Sequence, residues 1–175
     1  TAAHLTLAEL YRRTRRLPEA EAELEKVIII APRSPEAYLA LAQQHFEQKA
    51  YEKARAVLLR LIAERPGLAQ GHYLLGRIAI DTESWDEALT RLKRAVELDP
   101  DQDGAWQALG YVYESQKKAD EAVETYKAAI RANPDNAAFV GPDADGVSSA
   151  LRLDTGGALA GTVSVAGSSY LQMSG

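Results

Sequence analysis

Trp106-Gln107-Ala108-Leu109-Gly110-Tyr111-Val112-Tyr113, followed by Ala122, Tyr126, Ala129 and Pro134, is the stretch whose reading decides the fold. It has three earlier counterparts. When residues 1–34, 35–68, 69–102 and 103–136 are set beneath one another, residue types recur column by column. Position 7 holds Leu7, Leu41, Leu75 and Leu109; position 20 holds Ala20, Ala54, Ala88 and Ala122; position 32 holds Pro32, Pro66, Pro100 and Pro134. A period of 34 residues, run four times without a gap, predicts a stacked array of small units rather than a globular enzyme.

Each unit contains two runs in which apolar residues recur three and four positions apart, the spacing that gathers them on one face of an α-helix. In the third unit the runs are roughly Gln70–Asp81 and Trp85–Leu98. Ser84 stands where an N-cap is expected, and Glu87 would complete a capping box. Small residues at positions 8 and 20 (Gly76 with Ala88, Gly110 with Ala122) predict close approach within a hairpin. The position-32 prolines cannot continue the second helix. Pro18 falls near a helix start, where a missing N–H costs little. A single hairpin cannot bury its own apolar face. Successive hairpins should therefore share a continuous core, gaining about 25 cal/mol per Å² of apolar surface withdrawn from water.

The set Trp106, Leu109, Gly110, Tyr113, Ala122, Tyr126, Ala129 and Pro134 resembles the tetratricopeptide repeat, W-x2-L-G-x2-Y, then A-x3-F, then P. The third unit matches at Leu75, Gly76, Ala88, Leu92, Ala95 and Pro100. The second matches at Tyr38, Leu41, Ala42, Ala54, Leu58 and Pro66, and the first at Leu7, Ala8, Tyr11, Ala20, Leu24 and Pro32. The resemblance covers residues 1–136. It implies an all-α, right-handed superhelix of four helical hairpins and a non-catalytic scaffold that binds a protein or peptide partner.

In this family the concave groove is lined mainly by first-helix positions 2, 5, 6, 9, 12 and 13. Here they include Leu5, Glu9, Arg12 and Arg13, then Leu39, Gln43, Phe46 and Glu47. The third unit supplies Gln70, Tyr73, Arg77, Ile80 and Asp81, and the fourth Gln107, Tyr111 and Glu114. The candidate partner-binding residues are Leu39, Gln43, Phe46, Tyr73, Arg77, Ile80, Gln107 and Tyr111. Aromatic rings and an arginine are frequent anchors for a partner. Leu39, Phe46, Tyr73, Ile80 and Tyr111 occupy columns that the core is not expected to need. An extended or helical peptide is the expected guest, with Arg77 meeting an acidic group or a carbonyl. Local packing of the same side chains is the alternative. A known variant of the family clamps a terminal carboxylate with Lys, Asn and Arg at fixed positions. The corresponding places hold Leu5, Glu9, Ala40, Gln70 and Leu74, or one unit later Leu39, Gln43, Leu74, Gly104 and Ala108, so that recognition is not expected.

The chain has 175 residues and a net charge of −5, with both signs interspersed, which is a solvated surface and not a nucleic-acid footprint. No apolar run reaches the length of a membrane span; Val27-Ile28-Ile29-Ile30-Ala31 is far too short. Cysteine is absent, which removes disulfides and thiolate chemistry. The start at Thr1 is read as processed or truncated, with earlier repeats missing.

Beyond Asn136 the composition shifts to Gly, Ser, Ala, Thr and Val. A fifth repeat begins at Ala137-Ala138-Phe139 and aborts at Gly141-Pro142. Ala150–Asp154 and Leu159–Ala166 alternate as strands would, with Thr155-Gly156-Gly157 as a turn. The segment 137–175 is read in three ways: the start of a β-rich domain, a segment that pairs with another protomer, or a flexible extension. Phe139 is the candidate to cover the last helix, around Ala119–Arg131.

Other constellations carry less. Arg12, Arg13, Arg15 and Arg16 gather at a helix C-terminus, where the helix dipole favours positive charge. His4, His45 and His72 take columns of packing residues, and no two share a helix face at metal-ligand spacing. Asp143-Ala144-Asp145-Gly146 is a fragment of a calcium loop without its later ligands. No nucleophile motif, phosphate loop or H-E-x-x-H occurs. The expectation is a binding scaffold, not an enzyme, with no cofactor. The rival is a structural subunit of a homo-oligomer or filament, joined by end-to-end stacking of repeats and strand addition by the tail. The compartment stays open, with a lean towards an exported, periplasmic or extracellular, protein.

Overall fold

The computed structural model describes residues 1–133 and, as backbone, four short strands: Phe139–Pro142, Ser148–Leu151, Thr162–Val165 and Ser169–Gln172. Eight α-helices fill residues 1–133: α1 (Ala2–Arg13), α2 (Leu17–Ile30), α3 (Pro35–Glu47), α4 (Tyr51–Glu64), α5 (Ala69–Asp81), α6 (Trp85–Leu98), α7 (Asp103–Ser115) and α8 (Ala119–Ala132). The first two strands form an antiparallel pair, as do the last two. The expected turn at 155–157 lies outside the described residues, as does Pro134.

Every hairpin turns in the same way. The helix-ending residue is followed by one with positive φ: Arg15 (61°), Lys49 (57°), Glu83 (53°) and Lys117 (59°). That twist lets two N–H groups fold back on the last turn. Arg15 N–H reaches the Arg12 carbonyl and Arg16 N–H the Tyr11 carbonyl; the pairs Lys49–Phe46 with Ala50–His45, Glu83–Ile80 with Ser84–Ala79, and Lys117–Glu114 with Lys118–Tyr113 repeat it. This is the Schellman ending, which satisfies carbonyls a helix would otherwise leave bare.

Close approach within a hairpin is confirmed at the glycines. A Cβ on Gly76 would lie 2.6 Å from Leu92 Cδ2, and one on Gly110 would lie 2.4 Å from Tyr126 Cζ. The expected capping box does not form. Ser84 makes no side-chain cap bond, and Glu87 instead pairs with Arg55, whose fork offers two charged donors.

Second helices pack on the first helix of the next hairpin, α2 on α3, α4 on α5 and α6 on α7. Leu24, Leu41, Leu58, Leu61, Leu75 and Leu92 are fully buried along this line, each contributing about 1.5–3 kcal/mol over an exposed position. The core is segmented rather than seamless. One cluster runs from Ala8 to Ile78, the next from Ala79 to Val112, and the third holds Ala122, Tyr126 and Ala129. Consecutive α5 residues, Ile78 and Ala79, divide the first two, while Trp106 and Tyr113 touch both later ones.

Polar contacts also tie neighbouring hairpins. Arg60 of α4 makes a forked pair with Glu25 of α2 (3.1 and 3.4 Å), and Arg55 of α4 with Glu87 of α6 (2.7 Å twice). The Gln44 amide donates to the Leu17 carbonyl at 3.1 Å. Trp106 Nε1 donates to the Pro100 carbonyl at 2.8 Å, and His72 Nε2 bonds the Pro66 carbonyl at 3.2 Å. The same position of two units thus anchors a first helix to the proline that ended the previous hairpin.

Candidate functional site

Three first helices, α3, α5 and α7, carry the eight candidate groove residues. Seven of them (Leu39, Gln43, Phe46, Tyr73, Arg77, Ile80 and Gln107) are half-buried, and Tyr111 is 36% exposed. Contacts between successive first helices bring some of them together. The Arg77 guanidinium lies 5.5 Å from the Phe46 ring centre and 5.9 Å from that of Tyr73. Its Nη1 donates to Tyr73 Oη at 3.2 Å. Tyr73 also approaches the next hairpin: a Cβ on Gly104 would meet its hydroxyl at 3.0 Å. Glycine there leaves the ring its place.

Phe46 also meets Tyr51 edge to face, with centroids 5.8 Å apart, and Tyr51 Oη donates to Asp81 at 3.1 Å. In the same C-terminal turns of α3, Gln43 donates to Glu47 at 3.0 Å, and Arg12 lies 3.8 Å from the same carboxylate. Glu114 accepts from Tyr126 Oη at 2.9 Å, tying it to its own hairpin.

One expectation changes. Leu39 and Phe46 pack against the first core cluster, and Tyr73 and Ile80 against the second. These columns are core margin as well as surface, because neighbouring first helices lie close enough for their long side chains to overlap. The packing leaves part of each ring exposed and fixes its position.

The remaining constellations resolve into local roles. Arg16 stacks on the Tyr11 ring at 4.5 Å and pairs with Glu19 at 2.9 Å, and Arg12 pairs with Glu9 at 3.2 Å. His45 and His72 are buried, while His4 is half-buried with its Nδ1 2.6 Å from Glu23. Hydrogen bonds from Lys26 and His4 hold the Glu23 carboxyl below the usual carboxylate range. Burial holds His72 below the ordinary histidine value. The calcium-loop fragment 143–146 lies outside the described residues. No described helix is long and apolar enough to cross a membrane.

The sequence reading missed the contacts that cross between hairpins. Arg55–Glu87 and Arg60–Glu25 join residues 32 and 35 apart, close to one period. Opposite charges about one repeat apart on second helices are the signal that would have found them.

A tetratricopeptide-repeat family model matches residues 73–137. A model of the anaphase-promoting complex (cyclosome) subunit 3, of the same repeat type, matches residues 13–95. No curated protein matches the chain. Among solved structures, a crystal structure of MamA is 28% identical, covers 75% of this chain and 77% of its own, and superposes with a TM-score of 0.65. MamA from Desulfovibrio magneticus RS-1 is 21% identical, with 76% and 75% coverage and a TM-score of 0.64. PilF of Pseudomonas aeruginosa is 24% identical, with 77% of this chain and 62% of that chain covered and a TM-score of 0.64. The last two resemble it in fold alone. The repeat columns, the helical hairpins and both family matches agree: this chain belongs to the tetratricopeptide repeat family.

Proposed function

We propose that the chain is a non-catalytic interaction scaffold that holds a segment of a partner polypeptide across the faces of α1, α3, α5 and α7. The four tetratricopeptide units are read as one domain, residues 1–136, with 137–175 as a separate appendage. The observation that carries the binding role is the row of partly exposed rings and polar groups on consecutive first helices, with Phe46 and Tyr73 each held against Arg77. Preorganised aromatic and arginine side chains bind with little ordering cost, which is what makes such groups effective anchors. The test is a pull-down from native lysate with the full chain and with a Tyr73→Ala, Tyr111→Ala variant. Partners retained by the first and lost by the second support the reading; an unchanged partner set refutes it.

A second reading has its own observation. Ala37, Gly71 and Ala105 are buried, as are Gln44, Ile78 and Val112, where a preceding second helix packs on α3, α5 and α7. Their counterparts on α1, Ala3 and Leu10, are exposed, Leu10 by 52%. This edge has the chemistry of a repeat-to-repeat seam; an earlier repeat of the chain would cover it, and so would another copy stacked end to end. Light scattering over a concentration series decides it: oligomers abolished by Leu10→Glu favour association, and a monomer throughout rejects it.

A further inference from the structure

Four described arginines are half-buried: Arg12, Arg55, Arg77 and Arg91. Three of them have a carboxylate within ion-pair reach, Arg12 with Glu9 at 3.2 Å, Arg55 with Glu87 at 2.7 Å and Arg91 with Glu87 at 3.7 Å. Arg77 has none among the described residues. Removing a guanidinium from water without a counter-charge is costly, and two aromatic faces offset only part of that cost. The rings also hold the fork in place. Arg77 spends one N–H on Tyr73 Oη. The Tyr73 oxygen accepts that bond and keeps its own proton, so two donors 3.2 Å apart stand side by side on the α5 face.

We propose that Arg77 and Tyr73 together form a carboxylate-binding subsite, and that the partner segment presents an internal Asp or Glu side chain there. This rests on the scaffold reading above and adds the chemistry of the guest. A terminal carboxylate is disfavoured because the flanking side chains on the same row, Leu39, Gln43 and Gln107, bring no second cation. The guanidinium fork and the phenol hydroxyl give charge-assisted bonds to the two carboxylate oxygens. Phe46 beneath the guanidinium offers apolar surface for the methylene groups of the acidic residue or for an adjacent apolar side chain.

The test selects binders to the full chain from a random twelve-residue display library. Peptides are then synthesised with an amidated end, with a free end, and with the acidic residue changed to Gln or Asn. The expected result is enrichment of one Asp or Glu at a fixed place. Its amide replacement should lower affinity about tenfold or more in the amidated peptide, the loss appropriate to charge-assisted hydrogen bonds. Arg77→Gln should lower affinity similarly, Arg77→Lys by less, and binding should weaken with salt. The peptide-side replacement needs no change to the protein, so the outcome stands even where a variant folds poorly. Binders lacking an enriched acid, or insensitive to its replacement, overturn the subsite. So does dependence on the free end alone. If Leu39→Ala and Tyr111→Ala abolish binding while Arg77→Gln does not, the subsite falls and the scaffold reading survives. If none of these matters, or no binder emerges, both fall.

Discussion

The Arg77 guanidinium lies 5.5 Å from the centre of the Phe46 ring, which belongs to the preceding hairpin. The contact joins α3 to α5 on the first-helix side, while the Arg55–Glu87 fork joins α4 to α6 on the second-helix side. A seam between adjacent hairpins is thus fastened on both sides by different chemistry.

The aromatic fastening has a measurable size. A double-mutant cycle between Phe46→Leu and Arg77→Gln, read by urea denaturation, should return a coupling of about 0.5–1 kcal/mol, the range for a cation over a partly exposed ring. A coupling near zero would mean that the two groups are merely adjacent.

The close helix approach at Gly110 leaves no room for a methyl group. Gly110→Ala should destabilise the fold by about 1–3 kcal/mol, because the Tyr126 ring must shift. Gly67 is the control, with nothing within 4 Å of an added Cβ. Thermal melts that rank both variants alike would contradict the packing.

The four turns contain a conformation that glycine adopts more easily than the residues present. Lys49→Gly should relieve the positive φ of 57° and raise stability by about 1 kcal/mol. For a chain of this size that is about 2–4 °C in melting temperature. Lys117→Gly, at φ 59°, should behave alike. A fall in both variants would show that the side chains matter more than the backbone.

Acidification should weaken the array. Burial, aided by the charges of Arg91 and Arg94, outweighs the Pro66 carbonyl and holds His72 below its ordinary 6.5. As pH falls, the unfolded chain takes up this proton before the folded one. The stability contributed is complete above pH 6.5 and drains away below it. Urea midpoints compared between neutral and mildly acidic pH should decline less steeply in His72→Gln. An identical slope would exclude His72 as the cause.

The hairpins could be read from the sequence because their causes are local and repeat. Leucine at position 7, alanine at position 20 and proline at position 32 each impose one helix feature, four times over. Two kinds of feature escaped that reading. Arg15, Lys49, Glu83 and Lys117 take a left-handed conformation without the glycine or asparagine that would advertise it; the helix carbonyls they satisfy compensate. The cross-hairpin contacts escaped because periodicity fixes a residue's place within a unit but not the offset between units. Phe46 and Tyr73 sit on groove columns, yet only the spacing of α3 and α5 brings both to Arg77.

The main contacts of the array run between helices consecutive in the chain, from α1 with α2 to α7 with α8. A slight rotation at one seam is therefore passed on to the next and summed along the row. An array joined in this way should flex as an elastic coil, its curvature changing while each joint barely moves, and loosening one arginine fork should soften it.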